Sequence, residues 1–288
     1  MYKGTYTALV TPFTDNGIDV AAFERLIDAQ IAAGITGIVP CGTTGETPTL
    51  SDSERDTVIA TAVKHAAGRC DVIAGTGSNS TTHTIAYTRR AKELGAKTAL
   101  VVVPYYNKPT QEGLYQHFRA VAEAGGLPVM LYNVPSRTGI DLQADTVVRL
   151  SEVPGIAAIK EAAGSTDRVA ELRARCRSDF SILSGDDALT LPMMAVGANG
   201  VVSVASNVEP ARVVKLVKAA LDNDYASATR EHLALRALFN ALFVESNPTP
   251  AKAALAMRGV MQETVRLPLV PVNESTRALL RKVLAELR

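Results

Sequence analysis

The stretch Thr98-Ala99-Leu100-Val101-Val102-Val103, which runs on into Pro104-Tyr105-Tyr106, is apolar or β-branched at every position before the proline. A half-exposed strand alternates apolar and polar side chains, whereas a strand apolar throughout fits a parallel sheet covered on both faces. Seven more short runs of this kind lie near Tyr6 to Val10, Thr36 to Val39, Val72 to Ala74, Val129 to Tyr132, Ile156 to Lys160, Phe180 to Leu183 and Gly200 to Val204. They recur roughly every 20 to 35 residues, the spacing of βα units.

The segments between them read as helices. Phe23, Leu26, Ile27 and Ile31 fall on one face, and Ser51-Asp52-Ser53-Glu54 has the pattern of a capping box opening a helix through Val58, Ile59, Ala62 and Val63. Gly34, Gly68, Gly95 and Gly197 stand where helices should stop. Eight strands alternating with helices predict an α/β fold, a closed (β/α)8 TIM barrel over residues 1–222. Periodicity does not show closure, so a doubly wound open sheet is the competing architecture. Beyond residue 222 the alternation stops. Tyr225 to Phe243, Pro250 to Val260 and Ser275 to Leu287 read as helices, making residues 223–288 a C-terminal helical extension, with Pro250 suited to a first helical turn.

Bulk composition narrows the function classes. The 288 residues carry 30 basic and 29 acidic side chains, a balance of +1 that offers no electrostatic footprint for nucleic acid and favours a small-molecule partner. With 47% hydrophobic and 20% charged residues and no low-complexity run, the chain is expected to fold throughout. Cys41, Cys70 and Cys176 lack CxxC spacing, so neither a disulfide framework nor a zinc site is expected, and the compartment should be reducing. Met1-Tyr2-Lys3-Gly4-Thr5 does not begin a secretory leader, and no apolar run approaches ~18 residues, so a soluble cytoplasmic protein with no membrane partner is expected.

In barrels of this type chemistry gathers at the C-terminal ends of the strands. Lys160 ends the otherwise apolar run Ile156-Ala157-Ala158-Ile159. Burial disfavours an ammonium, and a neutral amine can attack a ketone to form an imine. The residues alone leave open a second reading, in which Lys160 points outward or pairs with Glu161. Thr43 and Thr44, within Gly42-Thr43-Thr44-Gly45-Glu46, suit a tight loop whose hydroxyls and N–H groups hold a carboxylate, or form an ordinary Gly-rich turn. Tyr132 can exchange a proton or be a core tyrosine with a satisfied hydroxyl. Arg137, expected on a loop, can grip a second carboxylate in bidentate fashion or simply be solvated.

Other motifs are set aside. Gly75-Thr76-Gly77-Ser78-Asn79-Ser80 has serine where a dinucleotide fingerprint needs its third glycine, and there is no P-loop, HExxH or GxSxG. His65, His83, His117 and His232 lack metal-ligand spacing, so no metal is expected.

From Thr7-Ala8-Leu9-Val10-Thr11-Pro12-Phe13 to about Arg266-Leu267-Pro268 the chain resembles the dihydrodipicolinate synthase family of pyruvate-dependent class I aldolases, of which N-acetylneuraminate lyase is a cousin. Gly42 to Glu46, Tyr105-Tyr106-Asn107-Lys108-Pro109 and Ile159-Lys160-Glu161 are similar to segments of the whole superfamily. Tyr132-Asn133-Val134-Pro135-Ser136-Arg137-Thr138-Gly139 is more diagnostic of the synthases.

The resemblance implies that Lys160 forms an imine with pyruvate and that Tyr132 shuttles protons, positioned by Thr43 and by a Tyr106 entering from the neighbouring subunit. It implies that Thr44 and the backbone at Val202 hold the pyruvate carboxylate, beside Gly185. Arg137 matches the position that binds the carboxylate of aspartate semialdehyde, where sugar-acid lyases need hydroxyl-binding groups. No exchangeable cofactor is implied, and the implied assembly is a homotetramer of two tight dimers. The alternatives are another pyruvate-dependent aldolase or lyase, such as N-acetylneuraminate lyase, and a silent barrel that only binds a keto acid or a protein.

Regulation is where the sequence departs from the lysine-inhibited members. Asn79 and Tyr105 match their allosteric pocket, but His83 replaces an expected glutamate, Asp52 and Arg55 replace two histidines, and Pro48 replaces an alanine. Losing a carboxylate partner and gaining a guanidinium should weaken the binding of lysine, so feedback inhibition is expected to be weak or absent.

Overall fold

The computed structural model describes residues 1–287. Eight parallel strands form a closed barrel: β1 (Gly4–Ala8), β2 (Gly37–Val39), β3 (Asp71–Gly75), β4 (Thr98–Val102), β5 (Val129–Asn133), β6 (Ile156–Glu161), β7 (Ser181–Ser184) and β8 (Gly200–Ser203). Their order around the barrel follows the chain, and β1 pairs with both β2 and β8, so the open-sheet alternative is excluded. At the closing seam Gly4 lies opposite Gly200, with φ of 109° and 149°. A Cβ on Gly200 would stand 2.0 Å from the Gly4 carbonyl oxygen, so only glycine lets the two backbones approach there.

The outer ring consists of α1 (Val20–Ala32), α2 (Asp52–Ala66), α3 (Thr81–Glu93), α4 (Gln111–Gly125), α5 (Ala144–Ser151), α6 (Thr166–Arg175), α7 (Thr190–Ala195) and α8 (Pro210–Leu221). The capping box at α2 forms as the sequence predicts: the Glu54 N–H donates to the Ser51 hydroxyl, and the Ser51 N–H donates to the Glu54 carboxylate at 2.9 Å. Two short elements escape the sequence pattern. One is a hairpin of Phe13–Thr14 with Gly17–Ile18; the other is a four-residue helix, Pro135–Thr138, which places Arg137 on a helical turn instead of the expected loop. Two-residue strands and a single turn are too short to leave a period, although Pro135 occupies the first-turn position that proline favours.

Two layers of apolar packing hold the barrel. Leu100, Met130, Ala158, Leu183 and Val202 fill its interior, while their strand neighbours Val101, Leu131, Ile159, Ile182 and Val201 pack outward in the shell beneath the helices. Both faces of each strand are therefore dry, which is why Ala99 to Val103 carries no polar residue. Each large aliphatic side chain so buried contributes about 1.5–3 kcal/mol.

After α8 the chain continues as α9 (Tyr225–Ala241), α10 (Thr249–Met257) and α11 (Glu274–Glu286). Helix α9 packs on α8, α11 packs on α9 and α10, and α10 reaches the turn Ala205–Asn207 that follows β8. Every residue from Thr249 to Leu255 is buried, the signature of a helix enclosed on all sides. One apolar cluster joins Leu9 and Phe13 of the barrel to Leu238 and Leu255 of the extension. Among the described residues no helix is long and apolar enough to cross a membrane.

Candidate active site

Strands β5 and β6 pair in a register that sets Tyr132 directly beside Lys160, and Asn133 beside Glu161. Side chains alternate across a strand, so Ala158 and Lys160 turn into the barrel while Ile159 and Glu161 turn toward the helices. This settles the pairing left open by the sequence. Lys160 is 5% exposed, its Nζ stands 4.1 Å from the centre of the Tyr132 ring, and it has no hydrogen-bond or ion-pair partner among the described residues.

Glu161 instead accepts from Asn133 Nδ2 at 3.0 Å and from the Ala163 N–H at 2.8 Å, with Arg168 Nε 3.6 Å away. Burial pushes its carboxyl up to about 7, against the opposing pull of Arg168. Asn133 also donates to Asp141 at 2.7 Å and accepts from the Leu142 N–H at 3.0 Å. The segment between, which carries Arg137, is thereby tied at both ends to the strand that carries Tyr132.

Above these strand ends opens a cavity of about 500 Å³. Of the residues selected from the sequence, Thr43, Thr44, Tyr132, Arg137, Lys160 and Gly185 line it. A Cβ on Gly185 would come within 3.0 Å of Lys160 Cε and 2.8 Å of Ala162 Cβ, so the glycine leaves the room that the lysine chain occupies. Val202 lies deeper, its side chain packed in the barrel interior. The end of its strand is held by fully buried Asp187, which accepts from the Val204 and Ala205 N–H groups at 3.0 and 2.9 Å and whose carboxyl is raised by burial. Tyr106 does not join this cavity; it has φ of 73° and is 88% exposed.

The cavity also contains residues that the sequence reading did not select: Ser136, Phe239, Asn240, Phe243 and Asn247. Asn247 is the most informative. Its side-chain amide donates to Thr44 Oγ1 at 2.9 Å, and its backbone carbonyl accepts from Arg137 Nη2 at 3.2 Å, so one residue of the extension touches both candidate carboxylate-binding groups. No local motif marks it, because its partner lies 203 positions away.

A second cavity, of about 360 Å³, adjoins the first through Thr43 and Arg137 and is lined by Pro48, Arg55, Tyr87 and Tyr105 among others. Asn79 and His83 do not line it. Arg55 is buried; it donates to the Gly75 carbonyl at 2.8 Å and to the Thr47 hydroxyl, and its guanidinium lies 4.3 Å from the centre of the Tyr87 ring. None of the four histidines lines either cavity.

An unpartnered amine in a dry wall, flanked by a phenol and overlooked by hydroxyl and guanidinium donors, is the equipment of an imine-forming barrel enzyme of the class I aldolase type. Comparison with known proteins narrows that class. The 4-hydroxy-tetrahydrodipicolinate synthase of Pelobacter propionicus is 50% identical over 284 residues, covering 99% of this chain and 98% of the relative. The crystal structure of dihydrodipicolinate synthase from Aquifex aeolicus superposes with a TM-score of 0.97 at 48% identity, covering 99% of this chain and 98% of that one. The synthase structure from Methylacidiphilum fumariolicum SolV gives 0.98 at 48% identity, covering 100% and 96%. The model of the dihydrodipicolinate synthetase family matches residues 1–287, and the chain belongs to that family.

Proposed function

We infer that the protein condenses pyruvate with L-aspartate 4-semialdehyde through a Schiff base on Lys160, giving 4-hydroxy-tetrahydrodipicolinate and committing carbon to diaminopimelate and lysine. The observation that carries this reading is Lys160 itself, buried beside Tyr132 without a counter-ion among the described residues, in a chain about half identical to synthases over its whole length. A solved relative from Acinetobacter baumannii, 44% identical, is complexed with pyruvate.

The steps follow from imine chemistry. The Lys160 amine adds to the pyruvate ketone carbon and water leaves, giving a protonated imine that draws electrons from the neighbouring methyl group. Thr44 and the backbone at Val202 hold the pyruvate carboxylate. The methyl group loses a proton to give an enamine, whose carbon attacks the semialdehyde carbon while Tyr132 returns a proton to the new alkoxide. Arg137 holds the second carboxylate. The amine of the semialdehyde then attacks the imine carbon, closing the ring and displacing Lys160. Thr43 and the partner subunit's Tyr106 position Tyr132; the exposure of Tyr106 supports an entry from one protomer into the next. The proposed assembly is a homotetramer of two dimers, although one relative, 41% identical, is described as a monomeric variant.

Borohydride reduction with pyruvate, followed by peptide mass analysis, tests the reading, because hydride traps only an imine. The expected product is a single modified peptide carrying the adduct on Lys160. An unmodified Lys160 peptide would overturn the assignment.

The second cavity bears on regulation. A relative from Cyanidioschyzon merolae is solved with lysine bound. A lysine entering the second cavity of this chain would meet the Arg55 guanidinium, which repels its ammonium, while His83, where the lysine-inhibited members carry a glutamate, lies outside that cavity. Titrating lysine into an activity assay is expected to leave the rate above half its starting value throughout the sub-millimolar range; half-maximal inhibition in that range would refute this.

A further inference from the structure

Glu46 and Lys252 meet at 2.6 Å with both side chains shut off from solvent, and neither lines the two cavities described above. Burying two charges recovers its desolvation cost only where the geometry is good and further hydrogen bonds support the pair. Here the carboxylate is bonded at both oxygens. The second Glu46 oxygen accepts the Arg266 N–H at 3.0 Å, and the Arg266 guanidinium pairs with Glu54 and donates to the Thr49 carbonyl at 3.0 Å. Lys252 Nζ and the Arg266 guanidinium each lie 4.2 Å from the centre of the Phe13 ring.

The pair joins two segments that matter to the site. Glu46 has a left-handed backbone, φ 55°, and its N–H donates to the Thr43 carbonyl at 3.1 Å, so its side chain and the threonine loop move as one body. Lys252 lies on the first turn of α10, its N–H bonded to the Pro248 carbonyl at 2.9 Å, immediately after Asn247. Residues 247–252 therefore grip the barrel at three points: Thr44, Arg137 and Glu46. The first two contacts are single hydrogen bonds at the cavity edge. The third is a dry, directional ion pair behind it, and its direction fixes the register of α10 against the loop in a way that apolar packing does not.

We propose that Glu46 and Lys252 are positioning residues that act through Asn247 to set the spacing between Thr44 and Arg137, and so between the binding sites for the carboxylates of the two substrates. The inference rests on the roles given to Thr44 and Arg137 above, and predicts that disturbing the pair weakens both substrates together.

The test uses the full-length enzyme and the double variant Glu46→Gln/Lys252→Met, which removes both charges without leaving one uncompensated. Circular dichroism is expected to show a folded protein, and borohydride at saturating pyruvate still to label Lys160. KM for pyruvate and for aspartate semialdehyde should each rise about tenfold or more with kcat within about threefold of the parent, the mark of lost ground-state positioning. Lys252→Arg keeps both charges but alters the geometry of the pair, and is expected to raise the same two constants by less; it decides the matter if the double variant does not fold. Folded variants with parental KM for both substrates, or with losses only in kcat or Tm, would overturn the proposal. Absence of a Lys160 adduct in the parent enzyme would instead defeat the functional reading, and this inference with it.

Discussion

Replacing Tyr132 by phenylalanine is expected to lower kcat by about 10²- to 10⁴-fold, the range typical for removing a general acid or base, while pyruvate remains trappable on Lys160. The substitution isolates the hydroxyl. The ring against which Lys160 Nζ packs at 4.1 Å is retained, as is its place among Met130, Leu100 and Val202, so neither the barrel interior nor the placement of the amine should change. What disappears is the only phenol among the described residues lining the Lys160 cavity, and with it, in the proposed mechanism, the proton donor to the alkoxide formed in carbon–carbon bond formation. Steady-state kinetics with both substrates, run beside borohydride trapping with pyruvate alone, separates the steps. Unchanged turnover would remove Tyr132 from the mechanism, and loss of the adduct would move its role back to imine formation.

The barrel was legible because its strands are dry on both faces, so eight apolar runs stand out from the helical periods between them. Its closure was not legible: that depends on Gly4 meeting Gly200 across the seam, a contact between the first strand and the last that leaves no local period. The orientation of Lys160 follows from strand alternation, since Ala158 must face the interior and Ile159 the shell; yet alternation cannot be anchored until the partners of Glu161 are known. Tyr132 and Lys160 were found separately as strand ends, but their contact is set by the β5–β6 register, which includes an irregularity between Val129 and Met130 that no sequence pattern announces.

The helical periods beyond residue 222 predict three helices, and three helices are present. Its part in the site was invisible for a different reason. Asn247 and Lys252 act on Thr44 and Glu46 across most of the chain, and a lysine in a short alanine-rich helix looks like a solvated residue until the helix proves to be buried on every side. Enclosed helices carry their polar residues against partners. Thr44, Asn247 and Arg137 therefore form one continuous polar line, so the extension belongs to the same working surface as the barrel loops.

Arg137→Ala is expected to lower kcat/KM for aspartate semialdehyde by about 10²-fold, the loss of one or two hydrogen bonds to a charged group, and to leave pyruvate adduct formation at the parental level. The asymmetry follows from position. Arg137 stands on the one-turn helix after β5 and donates to the Asn247 carbonyl at the edge of the cavity, and it makes no contact with Lys160 among the described hydrogen bonds. A guanidinium there can offer a planar pair of donors to a carboxylate, which a lysine cannot match, so Arg137→Lys should recover only part of the loss. The same variant separates the synthase from its sugar-acid cousins: an aldehyde without a carboxylate gains nothing from Arg137, and its kcat/KM should not fall with the substitution. Competing aspartate semialdehyde against such an aldehyde, with pyruvate held saturating, gives the comparison directly. Equal losses for both aldehydes would mean that Arg137 shapes the cavity without reading the second substrate, and would return the choice of aldehyde to Ser136, Asn240 and the phenylalanines of the extension that line the same cavity.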